Sequence, residues 1–503
     1  MTCPKLSVLY ALSVSAPQTD TTPRNRFATG LDRFFSITHR GSTIPREIRG
    51  GLVSFVTMAY IVILNPLILG GFSQDQAPQD VLGGWLQNAQ VAAATGLVAG
   101  LMTIAMGLIA NLPFGIAAGL GINSFLAVSV VHQVTWAEAM GLVVINGVVI
   151  VILALTGIRT MIFTAVPPQL KAAITVGIGL FIAFIGLVDS GFVRTTKNAS
   201  PPLQLGEDGS VSALPTIVFL IGLVIIGTLM ARKVKGALLI GIVATTIIAI
   251  ILQAIFKVPT SVDSPTGWNL NAPGLPSALF AVPDLSLVGH ADVFGAFTRI
   301  GPIAASMLVF TLVFTNFFDA MGTMTGLAKA AGVANADGTF PRLKSALVVE
   351  GAGAIAGGGA SVSSNTVFID SAAGIGEGAR TGMASVVTGL LFLASMFLTP
   401  LTQVVPLEVA AAGLVVVGAL MVAQVKDIDW TDFGAALPAF LTIVIMPLTY
   451  SIANGIGAGF ISWVLIKLLS GRGRQVSWLL YVVAAGFLLY FARGPLEAVL
   501  GVG

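Results

Sequence analysis

The sequence predicts an all-α polytopic membrane protein with fourteen transmembrane segments, arranged as two inverted seven-segment repeats. Three observations predict it. Of 503 residues, 55% are hydrophobic and only 9% charged, where a soluble domain carries about 25% charged residues. Apolar runs of membrane-crossing length recur along the whole chain. The runs fall into two sets of seven that resemble one another, separated by the longest internal polar stretch, Lys257–Arg299.

Residues 1–48 are polar and basic, with Arg24, Arg26, Arg33, Arg40 and Arg46. They read as a cytoplasmic tail, because no charged leader runs into an apolar core and a small-residue cleavage site. Residues 1–27 are expected to be disordered and Phe34–Arg49 to form a short lead-in helix. The first seven segments are expected at 49–71, 89–110, 115–131, 137–157, 168–188, 213–231 and 235–256. The second seven are expected at 302–328, 343–357, 362–376, 382–400, 405–423, 432–450 and 452–470. The linker 257–301, rich in Pro, Asp and Ser, reads as an extracytoplasmic loop.

Positive charge fixes the orientation. With the N-terminus inside, thirteen basic residues from Arg159 to Arg474 fall in inside loops. Four fall outside: Arg194, Lys197, Lys257 and Arg299. One span too many or too few would scramble that asymmetry. The chain is therefore expected to be a multi-pass protein of the cell membrane with its N-terminus cytoplasmic. Residues 472–503 hold a further hydrophobic helix and a tail. The run 476–492 is either a fifteenth span or a helix at the interface, and its aromatic residues (Trp478, Tyr481, Phe487, Tyr490, Phe491) favour the interface.

Val166–Leu180 can be laid over Val405–Ala419 with Val, Pro, the Ala pair and the second Gly coinciding. Ala213-Leu-Pro215 and Ala436-Leu-Pro438 follow at matching places, and in the same frame Gly115–Ser124 falls beside Gly359–Phe368. Seven spans per repeat is odd, so the repeats must be inverted. Two glycine-rich, broken spans would then meet head to head near the midplane. Ser363, Ser364, Asn365 and Thr366 are available to satisfy the freed backbone groups, which lipid cannot do.

Acids inside spans cost about 3 kcal/mol each on insertion scales and so need a partner or a task. Glu138 and Glu408 open segments, where an acid complements a helix N-terminus. Glu350 lies among small neighbours, with packing or substrate contact both open. Asp319 lies mid-segment with Asn316 and Thr323 at i, i+3, i+7 spacing, a polar stripe that must face the interior. There it can meet Asp370 of the second broken span. Two desolvated carboxylates close together cannot both stay ionised, which makes Asp319 and Asp370 a proton site. In the first half Asn123 occupies the corresponding depth, as helix cap, ligand contact, or both.

Several function classes find no footing. The single cysteine, Cys3, and three scattered histidines offer no metal-ligand set, and no nucleotide loop or dinucleotide fingerprint is present. No nucleophile–base–orienter set is visible, so an enzyme is not expected, nor a cofactor, nor a nucleic-acid partner. Uphill work must draw on an ion gradient.

The residues also carry a resemblance. Arg46–Tyr60 (REIRGGLVSFVTMAY) with Asn65-Pro66, Asn111–Phe125, Phe318–Thr323, Ser363–Gly374 with Glu377–Thr381, Asp429-Trp430, Pro438–Thr442 and Pro447–Gly455 occur in order along the chain. Together they resemble the nucleobase:cation symporter family 2, in its branch of AzgA-like adenine, guanine and hypoxanthine permeases. The resemblance implies a core domain from spans 1–4 and 8–11 (49–158, 302–400) and a gate domain from spans 5–7 and 12–14 (159–256, 401–471). It implies short antiparallel strands at the starts of spans 3 and 10, and a homodimer in the lipid bilayer. The implied activity is proton-coupled import of a purine nucleobase by an elevator-like movement, with substrate at the midplane between spans 1, 3, 8 and 10. Asp319, Asp370 and Asn123 match the family's binding residues, with Phe368, Ile369 and Thr323 beside them. Asp370 is expected to read the base and Asp319 to carry the proton or share both tasks. Two departures bear on base preference: the span-10 acid is commonly Glu, and position 316, often acidic, is Asn. A xanthine/uracil or anion transporter of the same fold is the alternative.

Overall fold

Each predicted segment folds as a helix or as a strand leading into a short helix. The computed structural model describes residues 26–492, apart from 76, 197–200, 208, 263, 265, 277 and 336–338. Span 1 is Ile44–Leu69 and span 2 Asn88–Ala110. Span 3 pairs strand Ile116–Ala118 with helix Leu120–Phe125, which runs on to Val130. Spans 4 to 7 are Trp136–Thr156, Pro168–Asp189, Leu214–Ala231 and Ala237–Phe256. Span 8 is Gly301–Ala330 and span 9 Leu343–Gly359. Span 10 is strand Asn365–Val367 with helix Ser371–Gly376. Spans 11 to 14 are Gly382–Thr402, Leu407–Asp427, Phe433–Leu448 and Ile452–Leu469. Among the described residues, ten of these helices are long and apolar enough to cross a membrane by themselves; the others are the two broken spans and the shorter spans 9 and 13.

Much of the packing obeys an exchange rule: replacing each span by the one seven places away maps one contact onto another. Spans 2 and 11 pack together, and so do 9 and 4. The same holds for 5–13 and 12–6, 13–14 and 6–7, 5–14 and 12–7, 8–14 and 1–7, and 8–5 and 1–12. Spans 5 and 12, and the two strands, pack on their own mates. This is the contact pattern of two repeats related by a two-fold axis. Spans 5 and 12 also start alike, with Pro167 and Pro406 as extended caps before the first turn. The strand mates, however, are Ile116 and Asn365, where the sequence alignment pairs Ile116 with Ala360. Loops of unequal length shift the frame between the two places.

The lead-in helix differs from expectation. It runs Arg26–Phe35 and ends where it was expected to begin, because Ser36 turns left-handed at φ 58°. Span 1 then starts at Ile44, behind extended Thr43 and with Pro45 in its first turn, where proline's missing N–H costs nothing. Of the disorder expected over 1–27, residues 1–25 lie outside the described residues, as does the tail after 492, while Arg26 and Phe27 open the helix instead. The final helix, Trp478–Phe491, has 14 residues. At 1.5 Å per residue it is about 21 Å long, short of the ~30 Å hydrocarbon core. It docks through Phe487, which stacks on Phe460 of span 14 (8° between planes) and meets Phe310 of span 8 edge-on.

Among the described residues, the linker after span 7 is irregular apart from Gly295–Arg299, yet it is anchored. Trp268 is fully buried, and the Asn269 N–H donates to Glu408 at 2.9 Å. Glu138 closes a capping box with Thr135 and pairs with Arg299 at 2.6 Å. Glu138 thus serves the start of span 4, as its position predicted, whereas Glu408, in the first turn of span 12, holds the linker backbone. The loop before span 6 carries a small hairpin, Val193–Thr195 with Leu203–Leu205.

Candidate functional site

The site begins with a strand pair inside the bundle. Gly115–Gly119 and Ser364–Phe368 run antiparallel, with Ile116 opposite Val367, Ala117 opposite Thr366 and Ala118 opposite Asn365. Two further bonds extend the ladder, from Phe368 N to Gly115 O and from Gly119 N to Ser364 O. On the outer edge, Thr103 Oγ1 both donates to the Ile116 carbonyl and accepts from its N–H, each at 2.9 Å. Ser371 Oγ accepts from Gly115 N and donates to Phe368 O. Lipid offers no such partners, so strands at this depth require them. The expected caps do little of this work: Ser363 Oγ, Ser364 Oγ and Thr366 Oγ1 make no hydrogen bond within the described residues. Gly357 is needed where span 9 turns into this strand, since a Cβ there would collide with the Ser363 carbonyl.

Where the strands end, a cavity of about 420 Å³ opens, within the ~300–1,000 Å³ range of small-molecule sites. Gly119, Leu120 and Gly121 bound it from span 3, and Thr366–Asp370 from span 10. Span 8 contributes Asp319, Gly322, Thr323 and Gly326. The opposite wall is Thr175, Ile178 and Ile182 of span 5 with Val417, Leu420, Met421 and Gln424 of span 12. Five of the six predicted residues therefore meet here: Asp319, Asp370, Phe368, Ile369 and Thr323.

Asn123 does not line the cavity. It is fully buried behind the wall and donates from Nδ2 to Asn65 Oδ1 at 2.5 Å. Asn65 in turn donates to Thr95 Oγ1 and to the Val362 carbonyl. This amide chain ties spans 1, 2 and 3 to the entry into span 10. Asn316 is also set back from the cavity. It lies one turn before Asp319, fully buried, and faces Glu350.

Sequence reasoning passed over Tyr60. Span 1 breaks there, between helices Ile44–Met58 and Ile61–Leu69. Its hydroxyl donates to Asp370 Oδ2 at 3.1 Å, and its ring leans on Phe368 with centroids 6.5 Å apart. Thr57 of the same span donates to the Asp370 carbonyl. Two aromatics and two carboxylates thus share one chamber. The residues lining it include no Lys, Arg or His. A second cavity of about 350 Å³ shares Ile369, Asp370 and Leu420 with the first and reaches Lys233 and Lys235 in the loop between spans 6 and 7. At its rim Glu377 pairs with Lys235 and, at 2.9 Å, with Arg49.

The family model Xan_ur_permease, "Permease family", matches residues 45–458. The chain belongs to this family, the nucleobase:cation symporter family 2. Curated members align over nearly their full length. The guanine/hypoxanthine permease PbuG of Bacillus subtilis is 36% identical, over 92% of this chain and 99% of that one. The adenine permease AdeP of Escherichia coli is 34% identical, over 91% and 95%. Among solved structures, the transmembrane domain of a cyanobacterium bicarbonate transporter, BicA, superposes with TM-score 0.56 at 16% identity, covering 82% of this chain and 96% of that one. That likeness is one of fold. This member of the symporter family is thus a multi-pass membrane permease, a transporter rather than an enzyme.

Proposed function

We propose that this permease imports purine nucleobases, hypoxanthine, guanine or adenine, in symport with a proton across the cell membrane. The observation that carries the reading is the chamber in which Asp319 and Asp370 face a cavity floored by Phe368 and Tyr60. A purine presents ring N–H and exocyclic groups in one plane. Carboxylates accept from those edges, and aromatic rings cover a face. A wrong edge leaves buried groups unpaired, which makes such a site selective. Similarity to the adenine and guanine/hypoxanthine permeases supports the same substrate class. An anion would be poorly served by two carboxylates and a lining without basic residues.

Asp370, held by Tyr60, reads the base, and Asp319 takes the proton. Phe368, Ile369 and Thr323 shape the contact, while Asn123 braces the strand pair from behind. Spans 1–4 and 8–11 form a core that carries the site, and spans 5–7 and 12–14 form the gate it slides against. The basic residues of the loops support a cytoplasmic N-terminus. The chamber reaches Gly326 and Gln424, near the ends of spans 8 and 12 that this orientation makes cytoplasmic, so the conformation is inward-open.

Proteoliposomes loaded with unlabelled base test the reading by counterflow of radiolabelled hypoxanthine, guanine, adenine, xanthine and uracil, with and without a pH gradient. Purine counterflow with gradient-driven accumulation is expected. Counterflow of none of the bases, or accumulation indifferent to the gradient, would sink it.

A further inference from the structure

Behind the Asp319 wall lies a charged pair that the transport reading leaves unused. Arg159 and Glu350 are both fully buried, with Nη1 2.5 Å from Oε2. Arg159 comes from the short helix Ile158–Ala165, which joins span 4 to span 5. Its neighbours Gly157 and Ile158 are exposed, whereas the guanidinium turns inward, over the Phe317 ring at 5.6 Å. Glu350 comes from span 9 and lies within electrostatic reach of Asp319. Between them sits Asn316, one turn from Asp319, its amide facing Glu350 without closing a hydrogen bond. Arg159 Nε and Nη2 and Glu350 Oε1 likewise make no hydrogen bond within the described residues.

Such a pair is poor value as a staple. Desolvating two charges costs about as much as their attraction returns, and an apolar pair of similar volume is often as stable. Three donor and acceptor atoms left unmade deepen that cost. The arrangement makes better sense as electrostatics. Span 2 and the two strands, which also pack on span 9, contain no charged residue. Span 4 contains one, Glu138, and it is paired with Arg299 at a helix start. The charges facing Glu350 are therefore Arg159 and Asp319, with Asn316 as the neutral amide between.

We propose that Arg159 and Glu350 are positioning residues for the proton step: Arg159 cancels the charge of Glu350, so that Asp319 is the one carboxylate in this wall that exchanges a proton. The proposal rests on the reading of Asp319 as the proton site. It also gives the joint between spans 4 and 5 a direct electrical tie to that site, since Arg159 belongs to the joint itself.

The signs follow from Coulomb's law. Glu350→Gln leaves an uncancelled cation near Asp319, so Asp319 holds its proton less firmly. Arg159→Met leaves an uncancelled carboxylate, so Asp319 holds it more firmly. The test is uptake of radiolabelled hypoxanthine into proteoliposomes of the full-length protein across a series of external pH values. The midpoint is expected to fall by about one pH unit in E350Q and to rise by about as much in R159M. The joint variant E350Q/R159M should return to the wild-type midpoint. Coincident midpoints in all four proteins overturn the proposal, as does a shift of both single variants in the same direction. Where a single variant does not reach the membrane, Glu350→Asp keeps the pair but draws the carboxylate back by one methylene. Its midpoint should then stay at the wild-type value, because the pair still carries no net charge, and a shift of about one pH unit overturns the proposal. Hypoxanthine binding to wild type, measured by scintillation proximity at fixed pH, separates the two failures. If wild type neither binds nor accumulates base, the transport reading falls; if it does both and the variants titrate alike, only the role of the pair falls.

Discussion

Gly179 and Gly418 meet backbone to backbone where spans 5 and 12 cross. A Cβ on Gly179 would stand 2.8 Å from the Gly418 carbonyl oxygen, and a Cβ on Gly418 would come closer still to the oxygen of Gly179. They are the glycines that coincide when the two repeats are aligned, so the crossing falls on the two-fold axis itself. Small residues allow such close approach in lipid, where van der Waals contact replaces the hydrophobic drive.

Gly418→Val should therefore cost about 1–3 kcal/mol by overpacking. It is expected to lower the melting temperature of the detergent-solubilised protein, read by fluorescence-detected size exclusion after heating. Gly227, whose Cβ would meet nothing within 4 Å, is the control and should tolerate Ala. Equal melting of the two variants would count against the crossing.

Tyr60→Phe keeps the ring against Phe368 but deletes the donor to Asp370. A hydrogen bond to a charged group contributes about 1.5–3 kcal/mol, roughly a tenfold or larger change in affinity. Hypoxanthine KM should rise by about that factor while protein yield stays level. An unchanged KM would remove Tyr60 from the site.

Asn65→Ala breaks the amide chain at its centre. Asn123, Thr95 and the Val362 carbonyl each lose a buried partner, at about 1–3 kcal/mol for an unsatisfied group. Because Asn65 lies off the cavity, the expected result is loss of thermal stability ahead of any change in base selectivity. Altered selectivity at full stability would contradict the bracing role.

Lys235 and Glu377 join the loop after span 6 to the turn after span 10. If the core slides against the gate, this contact must break in each cycle. Cysteines at both positions, with Cys3 replaced by Ser, should cross-link under oxidation and halt hypoxanthine uptake, with recovery on reduction. Undiminished uptake by the cross-linked protein would rule out sliding at this surface.

The sequence made some of this plain, and for physical reasons. A span is a long apolar run, so the order of fourteen segments could be read directly. A carboxylate in such a run is conspicuous, so Asp319 and Asp370 stood out. Tyr60 did not, because a tyrosine in an apolar helix looks like any core aromatic until the helix is seen to break beside it. Arg159 was hidden for the opposite reason: a basic residue near the end of a span reads as a topology marker, and only the three-dimensional packing turns it inward. Asn123 was expected to face the site, but its partner Asn65 lies in another span, and sequence spacing does not report such meetings. The strand frame slipped because loop lengths differ between the halves.

The strand pair also bears on how the chain is made. Ala117 finds its ladder partner only in Thr366, in the other half of the polypeptide. Until that partner is synthesised and inserted, the first strand waits in the bilayer with its ladder groups unmet, a costly state that favours holding it in a protected or aqueous setting. The pocket is therefore a late product of biogenesis, built when the second repeat arrives. Truncation after the first repeat would remove the partner and hand an unfinished edge to the membrane's quality control.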